Sequence, residues 1–109
     1  MNSYKSVILP QAEKDIDETL SYISNELENP QAAKNLLGHI IKTIEIVTEF
    51  PYSMPLLKNN LVTDKNEYRR ADIDNFVIIY KVVEESKEVR IMAAFYTPSD
   101  IVQRFLKRI

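Results

Sequence analysis

At 109 residues, with 45% apolar and 28% charged side chains, the chain has the size and composition of one globular domain built on one core. It contains no cysteine, which excludes disulfides, thiolate metal sites and cysteine nucleophiles and fits a reducing cytoplasm. The net charge of −2 is uneven: residues 1–50 hold four lysines against eight carboxylates, residues 51–109 ten Lys and Arg against eight, so positive potential gathers in the second half. An acidic chain is repelled by phosphate backbones outside a local basic patch, so non-specific nucleic-acid binding is not expected. The N-terminus has no apolar stretch of signal-peptide length, and the longest apolar run, Ile91 to Tyr96, is far too short for a membrane span; neither secretion nor membrane insertion is expected.

Tyr4 to Leu9 alternates as a short strand, and Pro10 then stands where a helix tolerates proline, at its first position. Ala12, Ile16, Leu20, Ile23 and Leu27 recur at helical spacing opposite Glu13, Lys14, Asp17, Glu18 and Ser24, which predicts an amphipathic helix. Asn29-Pro30 reads as an N-cap and first helical residue, and Ala33, Leu36, Leu37, Ile40, Ile41, Ile44 and Val47 carry a second helix to Phe50-Pro51. The few residues between them make an antiparallel helical hairpin. Gly38, the only glycine, lies inside the second helix at a cost of roughly 1 kcal/mol, for which close helix approach is the expected reason and simple tolerance the alternative. Pro51 to Asn66 reads as a loop.

Three strands follow: a short run at Tyr68-Arg69-Arg70, an apolar β-branched run from Phe76 to Val83, and Val89 to Tyr96, separated by turn chemistry at Asp74-Asn75 and Glu84 to Lys87. Ser99 then caps a short helix with apolar Ile101, Val102, Phe105, Leu106 and Ile109 and basic Arg104, Lys107 and Arg108. The expected fold is α+β, a single domain over residues 1–109 ordered strand, helix, helix, strand, strand, strand, helix, with a twisted, mostly antiparallel sheet covered on one face by the hairpin. The opposite face is the expected functional one.

The lone histidine, His39, has no pair of carboxylates at ligand spacing, so no metal site is expected. There is no glycine-rich phosphate loop, no Gly-x-Ser-x-Gly elbow and no Ser/His/Asp set, and no cofactor is expected. The chemistry-bearing residues that remain lie on the three strands. Alternation puts Arg69 and Arg70 on opposite faces, and likewise Tyr80 and Lys81, so at most one of each pair enters a common cleft.

Tyr68-Arg69, Asn75-Phe76, Tyr80-Lys81, and Tyr96 with Asp100 follow one another in an order that resembles the last part of the bacterial RelE/ParE toxin superfamily. The resemblance extends to Pro10, Ala12, Asp15 and Ile16, and to Pro30, Ala32 and Ala33, which open the two helices, and so spans nearly the whole chain. It implies the toxin of a type II toxin–antitoxin pair, cytoplasmic and neutralised by a cognate antitoxin protein. If the chain is an mRNA-cleaving, ribosome-dependent member, Arg69, Arg70 and Tyr96 are the catalytic candidates. Val77 stands where ribonuclease members commonly carry an arginine, and Thr97-Pro98-Ser99 replaces the basic residues that often follow the last strand. Those departures favour the branch that binds DNA gyrase; a degenerate, non-toxic member that still binds antitoxin is the third reading. The last helix, through Arg104, Phe105, Lys107 and Arg108, is the expected partner-binding surface, and replacing its three basic residues is expected to leave stability nearly unchanged.

Overall fold

A computed structural model of the protein describes residues 3–57, 67–96 and 101–108, with the backbone alone at 101 and 102. Strand β1 (Lys5–Ile8) runs directly into helix α1 (Pro10–Ser21), where Pro10 takes the first turn. There the missing N–H removes no hydrogen bond. The rest of the expected first helix is a wider π-helical turn, Tyr22–Glu26, closed by Leu27 N–H to Tyr22 C=O at 3.1 Å. The chain reverses through Glu28, at φ 50°, and Asn29 caps helix α2 (Pro30–Glu49) by accepting the Ala32 N–H at 3.1 Å. A side-chain oxygen there satisfies one of the donors that a helix start leaves unpaired.

Strands β2 (Tyr68–Ile73), β3 (Phe76–Val83) and β4 (Glu88–Tyr96) form the expected antiparallel meander. Its two tight turns place Asp74 and Lys87 at positive φ, as hairpin turns require. The first strand joins on the far side of β4, and in parallel, so the sheet order is β1-β4-β3-β2. In β4 the pairing jumps from Tyr80 opposite Ile91 to Ile79 opposite Ala93, which leaves Met92 as an extra residue. This bulge resets the alternation: Ile91 and Ala94 face the hairpin while Met92 and Ala93 face the other way.

Both sheet faces are therefore cores. Against the hairpin, Ala12, Ile16, Ile40 and Val47 pack on Ala71, Ile78, Tyr80 and Ile91. On the other face, Tyr68, Val77, Ile79, Ala93 and Phe95 are covered by Leu57 and by Phe105 of helix α3 (Ile101–Leu106). Burying side chains of this size stabilises by about 1.5–3 kcal/mol each before entropy is subtracted. The face expected to be the functional one is closed over at its centre by α3, because Phe105 and the strand residues beneath it form a second apolar core. Residues 58–66, Thr97-Pro98-Ser99 and Ile109 lie outside the described residues, so the proposed Ser99 cap does too.

Gly38 needs a different explanation from the expected one. A methyl group placed on it meets no atom within 4 Å, so none of the described residues approaches it closely. Gly38→Ala is expected to stabilise the dilute protein by about 0.5–1 kcal/mol, since alanine fits the helical backbone and restricts the unfolded chain. Urea unfolding measures the change; a loss of stability would mean that the helix is not free on that side.

Candidate functional site

Strand β4 outruns β1. Beyond Ile91, the partner of Ile8, its outer edge has no strand beside it among the described residues, and side chains take the place of a ladder. The Ala94 N–H donates to Asp15 Oδ2 at 3.0 Å, and Arg104 Nη1 donates to the Tyr96 C=O at 3.3 Å. Arg108 grips Asp15 with both terminal nitrogens, at 2.5 and 2.8 Å, and Gln11 adds a longer bond at 3.3 Å. The Arg104 and Arg108 guanidinium groups lie 4.5 and 4.8 Å from the Phe95 ring centroid, within cation–π range. Around this edge α1 and α3 leave an open cleft of about 600 Å³, with Tyr22, Tyr96, Glu18 and Lys107 among the lining residues. The two tyrosine rings sit 6.1 Å apart.

The cleft joins residues that were assigned separately. Tyr96, followed in sequence by Thr97-Pro98-Ser99 in place of basic residues, shares it with Arg104, Lys107 and Arg108. Two of those cations are already engaged, Arg108 by a buried carboxylate and Arg104 by a backbone carbonyl and a ring. Phe105 does not reach the cleft: it is 1% exposed and meets Tyr68 edge-on at 4.8 Å. The sequence places Asp15 in the set that opens the first helix but assigns it no role in the site, although the signal is present. It falls with Ala12, Ile16 and Thr19 on the core stripe of α1, and all four are buried. An acid within an apolar stripe requires a partner.

Arg69 and Arg70 are not in the cleft. They lie on opposite sheet faces, as alternation predicts: Arg69 opposite Tyr80 on the hairpin side, Arg70 opposite Ile79 on the other. Tyr96 is level with Phe76 and Ile73, four residues along β2 from Arg69, or about 13 Å at strand rise. Arg70 forms a forked pair with Asp72 at 3.0 and 3.2 Å. On that face Lys81 registers with Arg90, which is bound to Glu88 at 2.8 Å. Val77 is fully buried beneath α3.

Arg69 instead fastens the segment after α2. Its Nη1 donates to Met54 C=O at 2.7 Å, its guanidinium lies 5.1 Å from the Tyr52 ring centroid, and Tyr80 Oη donates to Pro51 C=O at 2.8 Å. Tyr52 in turn donates to Glu84, as Tyr4 does at 2.7 Å and Lys87 at 2.7 Å. The Lys87 ammonium and the two phenols hold the Glu84 carboxyl down to about 2, and the same carboxylate pushes the Tyr52 phenol up to about 12. One exposed carboxylate thus joins the chain before β1, the segment after α2 and the β3–β4 turn.

Two predictions follow from these contacts. Arg108→Ser should destabilise by about 1–3 kcal/mol, because the buried Asp15 loses its countercharge, whereas Lys107→Ser should stay within about 0.5 kcal/mol. Denaturant unfolding of both variants tests the contrast, which replaces the expectation that all three basic residues are dispensable. Second, a depressed carboxylate stabilises the fold above its ordinary value of 4.5, and the contribution is lost as pH falls from there toward about 2. The raised Tyr52 contributes below its ordinary value of 10.0 and loses that contribution toward about 12. Glu84→Gln should therefore lower Tm most between pH 4.5 and 10.0 and converge on the wild type outside that range. A uniform Tm difference from acid to alkali would remove the carboxylate from this role.

No helix among the described residues is long and apolar enough to cross a membrane, and no group of three or more His, Asp or Glu side chains among them is placed to hold a metal ion. A chain of the RelBE2 toxin–antitoxin complex from Mycobacterium tuberculosis superposes with a TM-score of 0.62 at 12% identity, over 86% of this chain and 98% of that one. The archaeal RelE–RelB complex from Pyrococcus horikoshii OT3 supplies a second match, with a TM-score of 0.50 at 18% identity over 91% and 99% of the two chains. At these identities the likeness is one of fold. No curated protein matches the sequence significantly. The family model for the ParE toxin of the type II toxin–antitoxin system parDE matches residues 7–95, from β1 almost to the end of β4, and the chain belongs to that toxin family.

Proposed function

We propose that the chain is a single-domain cytoplasmic toxin that arrests growth by binding DNA gyrase, and that a cognate antitoxin neutralises it. The observation that carries this reading is the dispersal of Arg69, Arg70 and Tyr96. Cleaving RNA through its 2′-hydroxyl needs a base, a cation at the phosphate and an acid, all within hydrogen-bond reach of one phosphodiester. Arg70 is on the other sheet face from Tyr96, Arg69 is occupied in holding Met54, and Val77 is core. Poisoning by binding needs no such constellation. The match to the ParE family agrees with this choice without deciding the target.

A ribosome-dependent ribonuclease is the second reading, favoured by one feature: Tyr96 shares its cleft with Lys107 and Arg104. An antitoxin partner is supported by the two structural neighbours, each solved as a complex of toxin and antitoxin. On this chain the rim of the same cleft, with exposed Lys107 beside Arg104, offers an acidic antitoxin segment its countercharge. Phe105 contributes by holding α3 in place.

Expression without antitoxin in a bacterial host tests the assignment. We expect growth arrest with DNA-damage signalling, intact messages, and inhibition of supercoiling when purified protein is added to gyrase. Rapid message cleavage that disappears in Tyr96→Phe would make the protein a ribonuclease. Normal growth with soluble, folded protein would make it a non-toxic antitoxin-binding member.

A further inference from the structure

Helix α2 buries Ala33, Ile40 and Val47 and leaves a second apolar element in water: Leu37 is 40% exposed and Ile41 53%. Between them sits Gly38, with open space where a side chain would be. Lys34, Gly38, Ile41 and Glu45 follow at steps of four, three and four, so they form one stripe along the helix, and all four are exposed. Neither Lys34 nor Glu45 has an ion-pair partner among the described residues. The stripe thus reads cation, notch, knob, anion. Read backwards it is anion, knob, notch, cation, which is its own complement.

A two-fold axis joins surfaces with that property, because an isologous interface sets each residue against the counterpart of its opposite number. We propose that α2 is the seam of a homodimer, in which two copies of this chain pack their α2 helices antiparallel about an axis passing between His39 and Ile40. In that register Ile41 of each copy enters the notch at Gly38 of the other, and Lys34 of each faces Glu45 of the other at both ends. Gly38 then has the close helix approach that none of the described residues of its own chain supplies, and its weakening of the helix acquires a reason. Leu37 lies beside the seam and adds apolar area. A single helix pair is small for a protein interface, so the dimer is a weak one, with a Kd of about 10–100 μM. The seam is separate from the α1–α3 cleft and does not depend on which target the toxin has.

Charge reversal distinguishes a second copy from any other occupant. Lys34→Glu makes both ends of the stripe acidic, and Glu45→Lys makes both basic. Each variant should self-associate at least tenfold more weakly than the wild type in sedimentation equilibrium. An equimolar mixture of the two should dimerise, because the all-acidic stripe meets the all-basic one, and the double variant Lys34→Glu/Glu45→Lys should dimerise by itself. Every changed position is exposed, and circular dichroism and thermal unfolding of each variant confirm the fold. A wild type that stays monomeric at about 200 μM, well above the expected Kd, overturns the proposal. So do single variants that dimerise like the wild type, or a mixture that stays monomeric; a wild type that associates only with added antitoxin would assign the face to that partner instead.

Discussion

The Asp15 carboxylate is the point on which the arrangement of α1, β4 and α3 depends. A strand edge without a neighbouring strand presents backbone donors and acceptors that must be satisfied, and at Ala94 the satisfying group is a charged side chain rather than another strand. A carboxylate at a buried position is costly unless it is paired and hydrogen-bonded. Arg108 pairs it, and the partly exposed guanidinium keeps one side toward water. The same contact sets α3 at the height where Phe105 covers Tyr68 and Val77, so the second core inherits its lid from an ion pair at its border.

Several parts of the fold are local and were legible in the sequence for that reason. The N-cap at Asn29, the prolines at both helix starts, the 3.6-residue periodicity of α1 and α2 and the order of the meander strands each rest on residues a few positions apart. What the sequence hid depends on residues far apart. The parallel strand pairing of Lys5 with Glu88 and the ion pair of Asp15 with Arg108 leave no periodic trace. The bulge at Met92 hid for another reason: an uninterrupted apolar run from Ile91 to Tyr96 gives no sign of where alternation resets. Gly38 stands out in the sequence, but the close helix approach expected of it is absent among the described residues, which leaves tolerance within this chain.

The candidate site shows the same division. Opposite orientation of Arg69 and Arg70 follows from strand geometry alone. That Arg69 is committed to Met54 and the Tyr52 ring depends on how the segment after α2 returns to the edge of β2, through the bridge from Leu56 and the bond from Leu57 N–H to Tyr68 C=O. The gathering of Tyr96 with Arg104, Lys107 and Arg108 required knowing that the last helix folds back beside α1. Arginines that look available in a list of residues are, in the folded chain, largely employed in holding it together.

The order in which the sheet is threaded also bears on how the protein comes into being. Lys5 waits for Glu88 and Asp15 for Arg108, so the strand made first has no partner until the fourth strand exists. A nascent chain that has emerged only as far as the helical hairpin carries a strand with unpaired edges and a buried-to-be carboxylate still in water. Closing contacts over such sequence separations is slow compared with forming hairpins and helix turns. The protein therefore cannot hold its α1–α3 cleft, or anything that depends on it, until residues 88–108 have been added, and partners that recognise that cleft meet it only after synthesis has passed this point.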